Sequence, residues 1–396
     1  MSKRYGLCDK FRFFRRKLHR HQNFFNRKNE VSLLTGLFFD ARGERVIFGG
    51  AERYIINLGE LLENEFGKSL TVYQRGATYE PWVRQYQNIT VIGLPVGGKY
   101  KFLNHVFHRL VAPADLTIYN QLDLAIPYCH NPAIAISHGI YWDSPQAGEA
   151  KKRRMIKHYI AGLRNVNTLI SVDTTTLHFF RGTIDCRFVN GKSHYVPNFV
   201  DTEIFHPSKD LSTSSGLTIT YPRRLYEARG FFLMAEAMDL LLDRYTDITL
   251  CFAGEIDNEK VRRELDRLIS SYPGRISYCL TDFDDMATVY RTSDVVVIPT
   301  LYSEGTSLSL LEAMASGCCV VATDVGGLTD LVIDNYNGVL CEPTVTSLTE
   351  ALAEVIEDTE KRARLAACAR ETVVASFGKQ RWQQKWRDIL KAHLDV

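Results

Sequence analysis

Apolar residues along this chain come in short blocks of two kinds. Compact runs at Val31–Phe39, Leu70–Tyr73, Ile89–Ile92, Leu116–Tyr119, Ala133–Ser137 and Thr168–Val172 read as strands buried on both faces. Between them, Ala51–Glu65, Phe102–Leu110, Gly148–Leu163 and Thr174–Phe180 repeat apolar residues at helical spacing. Pro197-Asn198, Pro207 and the polar stretch Ser208–Gly216 then break the pattern, which predicts an interdomain connection. The alternation restarts with strands at Leu217–Tyr221, Ile248–Phe252, Ile276–Cys279, Val295–Ile298 and Cys319–Ala322. Helices are expected at Phe231–Leu242, Lys260–Ile269, Met286–Thr292, Leu308–Ser316, Leu348–Ile356, Lys361–Ala375 and Gln380–Leu394. Repeated strand–helix units predict an α/β protein: two Rossmann-like, doubly wound domains facing a central cleft. The expected division is a tail (1–30), a first domain (31–200), a second domain (201–378) and a last helix (379–396) packing back on the first domain. Ligands of such sheets sit beyond the carboxyl ends of the strands.

Composition narrows the class. Of 396 residues, 45% are hydrophobic and 24% charged, the mix of a soluble globular protein, which excludes disordered, collagen-like and coiled-coil chains. No apolar run approaches the roughly 18 residues of a spanning helix. The basic start lacks an apolar stretch behind it, so it does not read as a secretory signal. None of the nine cysteines falls in a C-x-x-C pair, which argues against structural zinc and fits reduced thiols in a reducing cytosol.

The net charge of +2 hides an asymmetry: residues 1–30 carry +8, leaving −6 on the rest. The tail also holds Tyr5, Phe11, Phe13, Phe14, Phe24 and Phe25. A nucleic-acid-binding protein would spread positive charge over its folded part, so no nucleic-acid partner is expected. Basic side chains with aromatics suit an anionic bilayer surface. The Lys151, Lys152, Arg153, Arg154 and Lys157 cluster, with Met155, Ile156, Tyr159 and Ile160 among and beyond it, suits the same surface. The expected location is cytoplasmic, peripheral on the inner membrane face.

The chemistry concentrates in the second half. In Pro299-Thr300-Leu301-Tyr302-Ser303-Glu304-Gly305-Thr306-Ser307-Leu308-Ser309-Leu310-Leu311-Glu312, a buried strand gives way to a loop and a helix beginning near Ser307. Free N–H groups at a helix start suit a phosphate. Glu304 ahead of that start and Glu312 inside the helix could reach one ligand, and ionised carboxylates accept hydrogen bonds from sugar hydroxyls. In Tyr221-Pro222-Arg223-Arg224-Leu225-Tyr226-Glu227-Ala228-Arg229-Gly230, a strand ends at an arginine-rich loop matched to phosphate oxygens. Phe48-Gly49-Gly50-Ala51-Glu52-Arg53 opens a helix with glycines, and His138-Gly139 closes an apolar strand at the cleft edge.

These segments resemble GT-B glycosyltransferases, specifically glycosyltransferase family 4, strongly over 217–345 and loosely elsewhere. The resemblance places Arg224 on the family arginine and Arg229 on the family lysine of a Gly-Arg-Leu…Lys-Gly loop, with Arg223 where the family has glycine. Glu304 and Glu312 match its two glutamates separated by seven residues; Glu304 is then expected to face the donor sugar and Glu312 the ribose hydroxyls. Asp324-Val325-Gly326-Gly327, Asn337-Gly338 and the interdomain segment Val196–Asp201, with Phe199 for the family glycine, continue the pattern. The resemblance implies a retaining, hexosyltransferase-class enzyme. It would move a sugar from a nucleotide diphosphate sugar to a saccharide or lipid-linked acceptor, in cell-surface polysaccharide or glycolipid assembly. It implies no metal and no cofactor beyond that co-substrate. Expected catalytic residues are Glu304, His138, Arg224 and Arg229. Expected donor contacts are Gly49, Gly50, Arg224, Arg229, Glu304, Gly305, Thr306, Ser307, Leu308 and Glu312. Expected acceptor contacts are His138, Tyr141, Trp142 and Asp143.

Two motifs compete for attention. Gly93–Tyr100 nearly matches a P-loop but has Tyr100 where the magnesium-binding hydroxyl belongs. Asp282-Phe283-Asp284 has the D-x-D spacing of metal-dependent transferases but precedes a helix of the second half. Two other functions fit the scaffold: a sugar-nucleotide epimerase and a non-catalytic transferase-like subunit.

Overall fold

The computed structural model describes residues 25, 30–47, 49–207, 216–280 and 285–394. The rest of the basic tail, Phe48, most of the 208–216 connection and the Asp282-Phe283-Asp284 motif lie outside the described residues. In chain order the first half holds β1 (Val31–Leu34), α1 (Gly50–Phe66), β2 (Leu70–Arg75), β3 (Trp82–Tyr86), β4 (Ile89–Leu94), α2 (Leu103–Leu110), β5 (Leu116–Tyr119), β6 (Ala133–Ser137), α3 (Glu149–Asn165), β7 (Thr168–Ser171), α4 (Thr174–Thr183), α5 (Cys186–Asn190) and β8 (Ser193–Tyr195). The second half holds β9 (Leu217–Tyr221), α6 (Phe231–Arg244), β10 (Ile248–Ala253), α7 (Glu259–Ser271), β11 (Ile276–Cys279), α8 (Met286–Arg291), β12 (Val295–Ile298), α9 (Leu308–Ala315), β13 (Cys319–Thr323), β14 (Val339–Cys341), α10 (Val345–Glu357), α11 (Thr359–Ser376) and α12 (Lys379–Leu394).

Two sheets result, with orders β3-β4-β2-β1-β5-β6-β7-β8 and β11-β10-β9-β12-β13-β14. Every pairing is parallel except β3 with β4. The central strands β1, β5, β6, β7, β12 and β13 are buried throughout, because helices cover both faces of each sheet. In both sheets the first strand of the half sits centrally and the order reverses beside it, which opens a crevice at the carboxyl ends.

The structure departs from the sequence pattern in a few places. The expected strand Val31–Phe39 ends at Leu34, since Gln74 Oε1 accepts the N–H groups of Phe38 (2.9 Å) and Phe39 (2.7 Å) that a longer strand would use in its ladder. The antiparallel edge strand β3 exposes three of its five residues and so shows no apolar run. The near-P-loop is a turn: Gly97 and Gly98 are left-handed (φ 59° and 72°), and a Cβ on Gly97 would meet the Tyr79 ring at 2.5 Å.

The chain crosses between domains twice. At the second crossing Val200 pairs with Gly378, and α12 returns to the first domain. There Trp382, Trp386, Ile389 and Leu390 join the core formed by Tyr54, Leu58, Ile170 and Phe199. Trp386 Nε1 donates to the Tyr54 hydroxyl at 2.7 Å. The crossings bring the carboxyl ends of both sheets face to face.

Candidate active site

The site is built from the loop that follows β12. The strand ends at Ile298, just before Pro299, and the chain must turn before α9 begins. Ser307 caps α9, its Oγ accepting the Leu310 N–H at 3.4 Å. Thr323 Oγ1 ties down the loop by donating to the Thr300 carbonyl at 2.6 Å. Ser303 takes a left-handed conformation (φ 58°), which Asp143 of the first domain braces: its carboxylate accepts Ser303 N–H at 2.8 Å and Oγ–H at 2.5 Å. This turn drives Glu304 inward, where it is 8% exposed. Its Oε2 accepts Arg223 Nη2 (2.9 Å), Arg229 Nη1 (2.9 Å) and Thr300 Oγ1 (2.8 Å). Burial alone would raise the Glu304 pKa; Arg223 and Arg229 more than reverse it, so the carboxyl lies below the usual range and is ionised at neutral pH.

Glycines permit this approach. A Cβ on Gly305 would lie 2.7 Å from the His138 carbonyl oxygen, and one on Gly326 (φ 53°) would lie 2.3 Å from that of Glu304. The Gly305 backbone therefore meets His138-Gly139 of the first domain directly. Thr306 staples the same junction: its Oγ1 donates to the Val172 carbonyl (2.9 Å) and accepts Asn198 N–H (2.9 Å). Leu308 opens α9 and faces Gly50, where a Cβ would be 3.3 Å from the leucine's Cδ1. The amino ends of α1 and α9 therefore abut across the cleft. Both ends carry partial positive charge, so an anion between them is favoured.

Glu312, 3% exposed, is committed elsewhere. Its Oε1 accepts Arg53 Nη2 from α1 at 2.6 Å, and its Oε2 accepts the Tyr290 hydroxyl of α8 at 3.0 Å. The two glutamates thus face different partners, not one shared group. Gly49 caps α1, and Glu52 three residues on folds back over the helix start, in capping-box spacing. Burial pushes the Glu52 carboxyl up to about 7, against backbone hydrogen bonds and the charge of Arg224.

Of the loop arginines, Arg229 stands at the site, bonded to Glu304 and the Ser303 carbonyl (3.0 Å). Arg224 is half-exposed at the rim, 3.5 Å from Glu255. The arginine deep in the site is Arg223, which sequence pairing did not select.

His138 ends β6. Its Nε2 is 2.8 Å from Asn120 Oδ1, while Asn120 Nδ2 donates to Thr35 Oγ1 at 3.1 Å. That second bond fixes the amide, so His138 Nε2 carries the proton and Nδ1 keeps its lone pair. Burial lowers the His138 pKa to about 4, so the ring is neutral at pH 7. Asp173, at the head of α4, has its Oδ2 buried with no described partner, and burial pushes it up to about 6.

The acceptor-side candidates separate. Tyr141 lines a cavity of about 250 Å³ with Tyr100, Gln121, Asp123, Met155, His158 and Tyr159. Trp142 is 7% exposed and packs edge-on to Tyr159 (4.9 Å) and against Phe179 (4.8 Å), so it belongs to the core. Asp143 spends its carboxylate on Ser303. Arg53, Tyr290, Asp173 and Arg223 were not selected from sequence. Only Glu52 had a signal, the G-x-x-E spacing; the others meet the site through tertiary contacts. Among the described residues no group of three or more His, Cys, Asp or Glu side chains is arranged to hold a metal ion. Among the same residues no helix is long and apolar enough to cross a membrane.

Several known proteins are similar to this chain. Residues 204–372 match the family model described as glycosyl transferases group 1. An uncharacterized glycosyltransferase, MJ1178, of Methanocaldococcus jannaschii is 24% identical over 74% of this chain and 83% of its own length. The phosphatidyl-myo-inositol mannosyltransferase of Mycolicibacterium smegmatis is 30% identical, over 45% of this chain and 46% of that protein. Among solved structures, sucrose-phosphate synthase from Thermosynechococcus elongatus superposes over 92% of this chain and 100% of its own, with a TM-score of 0.72 and 20% identity. Anabaena Alr3699/HepE in complex with UDP covers 92% of this chain and 100% of its own, with a TM-score of 0.69 and 18% identity. The two facing sheets are thus a GT-B fold, residues 204–372 match the model of glycosyl transferases group 1, and the chain is an enzyme of the glycosyltransferase class.

Proposed function

We propose that the enzyme takes a sugar from a nucleotide diphosphate sugar and transfers it to an acceptor hydroxyl with retention of configuration and without a metal. The observation that carries this is the meeting of two helix amino ends, Gly49-Gly50 and Ser307-Leu308, beside Arg229 and Glu304. That arrangement suits a diphosphate with a sugar attached. The acceptor oxygen forms a bond to the anomeric carbon as the bond to the leaving phosphate breaks, and the acceptor proton passes to the departing phosphate oxygen. Arg229, with Arg224 swinging in from the rim, offsets the growing negative charge. Glu304 accepts the donor sugar's hydroxyls, and Glu312 takes the ribose if nucleotide displaces Arg53. His138 Nδ1 and Tyr141 face the acceptor. UDP, bound by the Anabaena structure, is the first nucleotide to try.

A lipid-linked acceptor is the second reading, favoured by the exposed Lys151, Arg153, Arg154 and Lys157 on α3. Met155, Ile156 and Ile160 pack inward on the core, so this surface offers charge to a bilayer and no apolar wedge. Such a contact would be peripheral and salt-sensitive, with the tail adding to it.

The deciding experiment screens UDP-, GDP- and dTDP-sugars for thermal stabilisation, then measures nucleoside diphosphate release with and without acceptor. Release that depends on acceptor supports transfer. Conversion of the donor without release would instead indicate an epimerase, and absence of any nucleotide binding would indicate a non-catalytic subunit.

A further inference from the structure

The family resembled by this chain has glycine where Arg223 stands. In this structure that side chain is 8% exposed and reaches the centre of the site. Nη1 donates to Thr300 Oγ1 at 2.6 Å and Nη2 to Glu304 Oε2 at 2.9 Å, while Nε is buried with no described partner. The backbone behind it is held closely: a Cβ on Gly254 would lie 2.3 Å from the Arg223 carbonyl oxygen. Thr300 itself donates to Glu304 Oε2 at 2.8 Å, which closes a three-membered ring of contacts. All three described donors to the carboxylate converge on Oε2, and Oε1 accepts none of the described hydrogen bonds.

We propose that Arg223 is a positioning residue: bridging Thr300 and Glu304, it clamps one carboxylate oxygen and leaves the other free to accept a donor-sugar hydroxyl. This rests on the donor-site reading above. Arg229 alone cannot do the same. It approaches Oε2 through Nη1, which also donates to the Ser303 carbonyl, so the carboxylate could still rotate about its last bond. The planar guanidinium of Arg223 fixes two neighbours at once, a geometry that a point-charge lysine does not reproduce. The clamp also governs charge. Glu304 faces Arg223 and Arg229 from their loop, Tyr221 from β9, and Tyr141 from the first domain, with Asp143 bound to the adjoining Ser303. Burial opposes ionisation there, and of the cationic groups named only the two arginines counter it. Without Arg223, burial is opposed by Arg229 alone.

The test is carbon NMR of the full chain labelled at the glutamate carboxyl carbon, with Glu304 assigned by the signal lost in Glu304→Gln. In the wild type, Glu304 should titrate below the range of ordinary glutamates. Arg223→Gly, which restores the family residue, should move its midpoint up by about one pH unit or more, and Arg223→Lys should fall between. An unchanged midpoint in Arg223→Gly overturns the proposal. If that variant does not fold by circular dichroism, Arg223→Lys decides: a wild-type midpoint and wild-type carboxyl shift overturn it. Calorimetry with UDP and GDP on the same samples judges the donor-site reading separately, since the Glu304 titration is readable whether or not nucleotide binds.

Discussion

At the scale of single residues, the site sorts carboxylates by their surroundings. Glu304 is buried among cations and stays charged, whereas Glu52 is buried over a helix start and rises to about 7. Replacing Glu304 with Ala should depress turnover far more than nucleotide affinity. Arg229→Ala should cost about 10²–10³ in rate, by analogy with removing an oxyanion donor, while Arg229→Lys should be mild. Steady-state rates with the donor found by screening check both, and chelator should change neither. The buried histidines oppose stability on the acid side. His138 and His108 are lowered to about 4 and about 3, mainly by burial. A depressed histidine contributes stability above its unfolded value near 6.5 and loses it as pH falls toward the folded value. Glu52 has the opposite sign: its raised folded value favours folding at low pH, and that contribution disappears as pH rises through about 7. Urea unfolding should therefore show Glu52→Gln gaining stability over the wild type at pH 8 but not at pH 5.

At the scale of elements, the loops are held by close backbone approaches. Gly230, in a left-handed conformation (φ 79°), follows Arg229 directly, and a Cβ there would lie 1.7 Å from the Pro299 carbonyl oxygen. Gly230→Ala must push the arginine loop off the glutamate loop. It should lower turnover as much as Arg229→Ala and lower the melting temperature as well, which Arg229→Ala should do far less. Much at this scale was legible in sequence. The central strands are unbroken apolar runs, so Ala133–Ser137 and Val295–Ile298 could be bounded to the residue. Strands of three residues, β8 and β14, and the exposed hairpin strand β3 carry no such run and were not readable. Glu304 and Glu312 stood out by spacing. Which arginine meets Glu304 did not, because neighbours in sequence point opposite ways from an irregular loop. The same limit applied to Trp142 and Asp143, whose aromatic and acidic character suited a sugar but whose partners are Tyr159, Phe179 and Ser303.

At the scale of the whole molecule, the two domains are joined through polar contacts that ligand could rearrange. Asp143 with Ser303, Arg53 with Glu312, and Asp330 with the Thr174 N–H (2.7 Å) all cross the cleft. Asp143→Ala should loosen closure, raising KM for donor and increasing the radius of gyration in solution scattering without nucleotide. The last helix has a further consequence. Trp382, Trp386, Ile389 and Leu390 complete a core whose other members, Tyr54 and Ile170 among them, belong to the first domain. During synthesis that domain emerges first and yet is finished last. Its aromatic seat stays bare while the second domain is translated, roughly ten to forty seconds at ordinary elongation rates. The nascent chain must therefore pass through a state with a sticky, half-built first domain. A fragment of residues 30–200 should bind a hydrophobic dye, and a peptide of residues 379–394 added in trans should displace the dye and sharpen the fragment's unfolding transition.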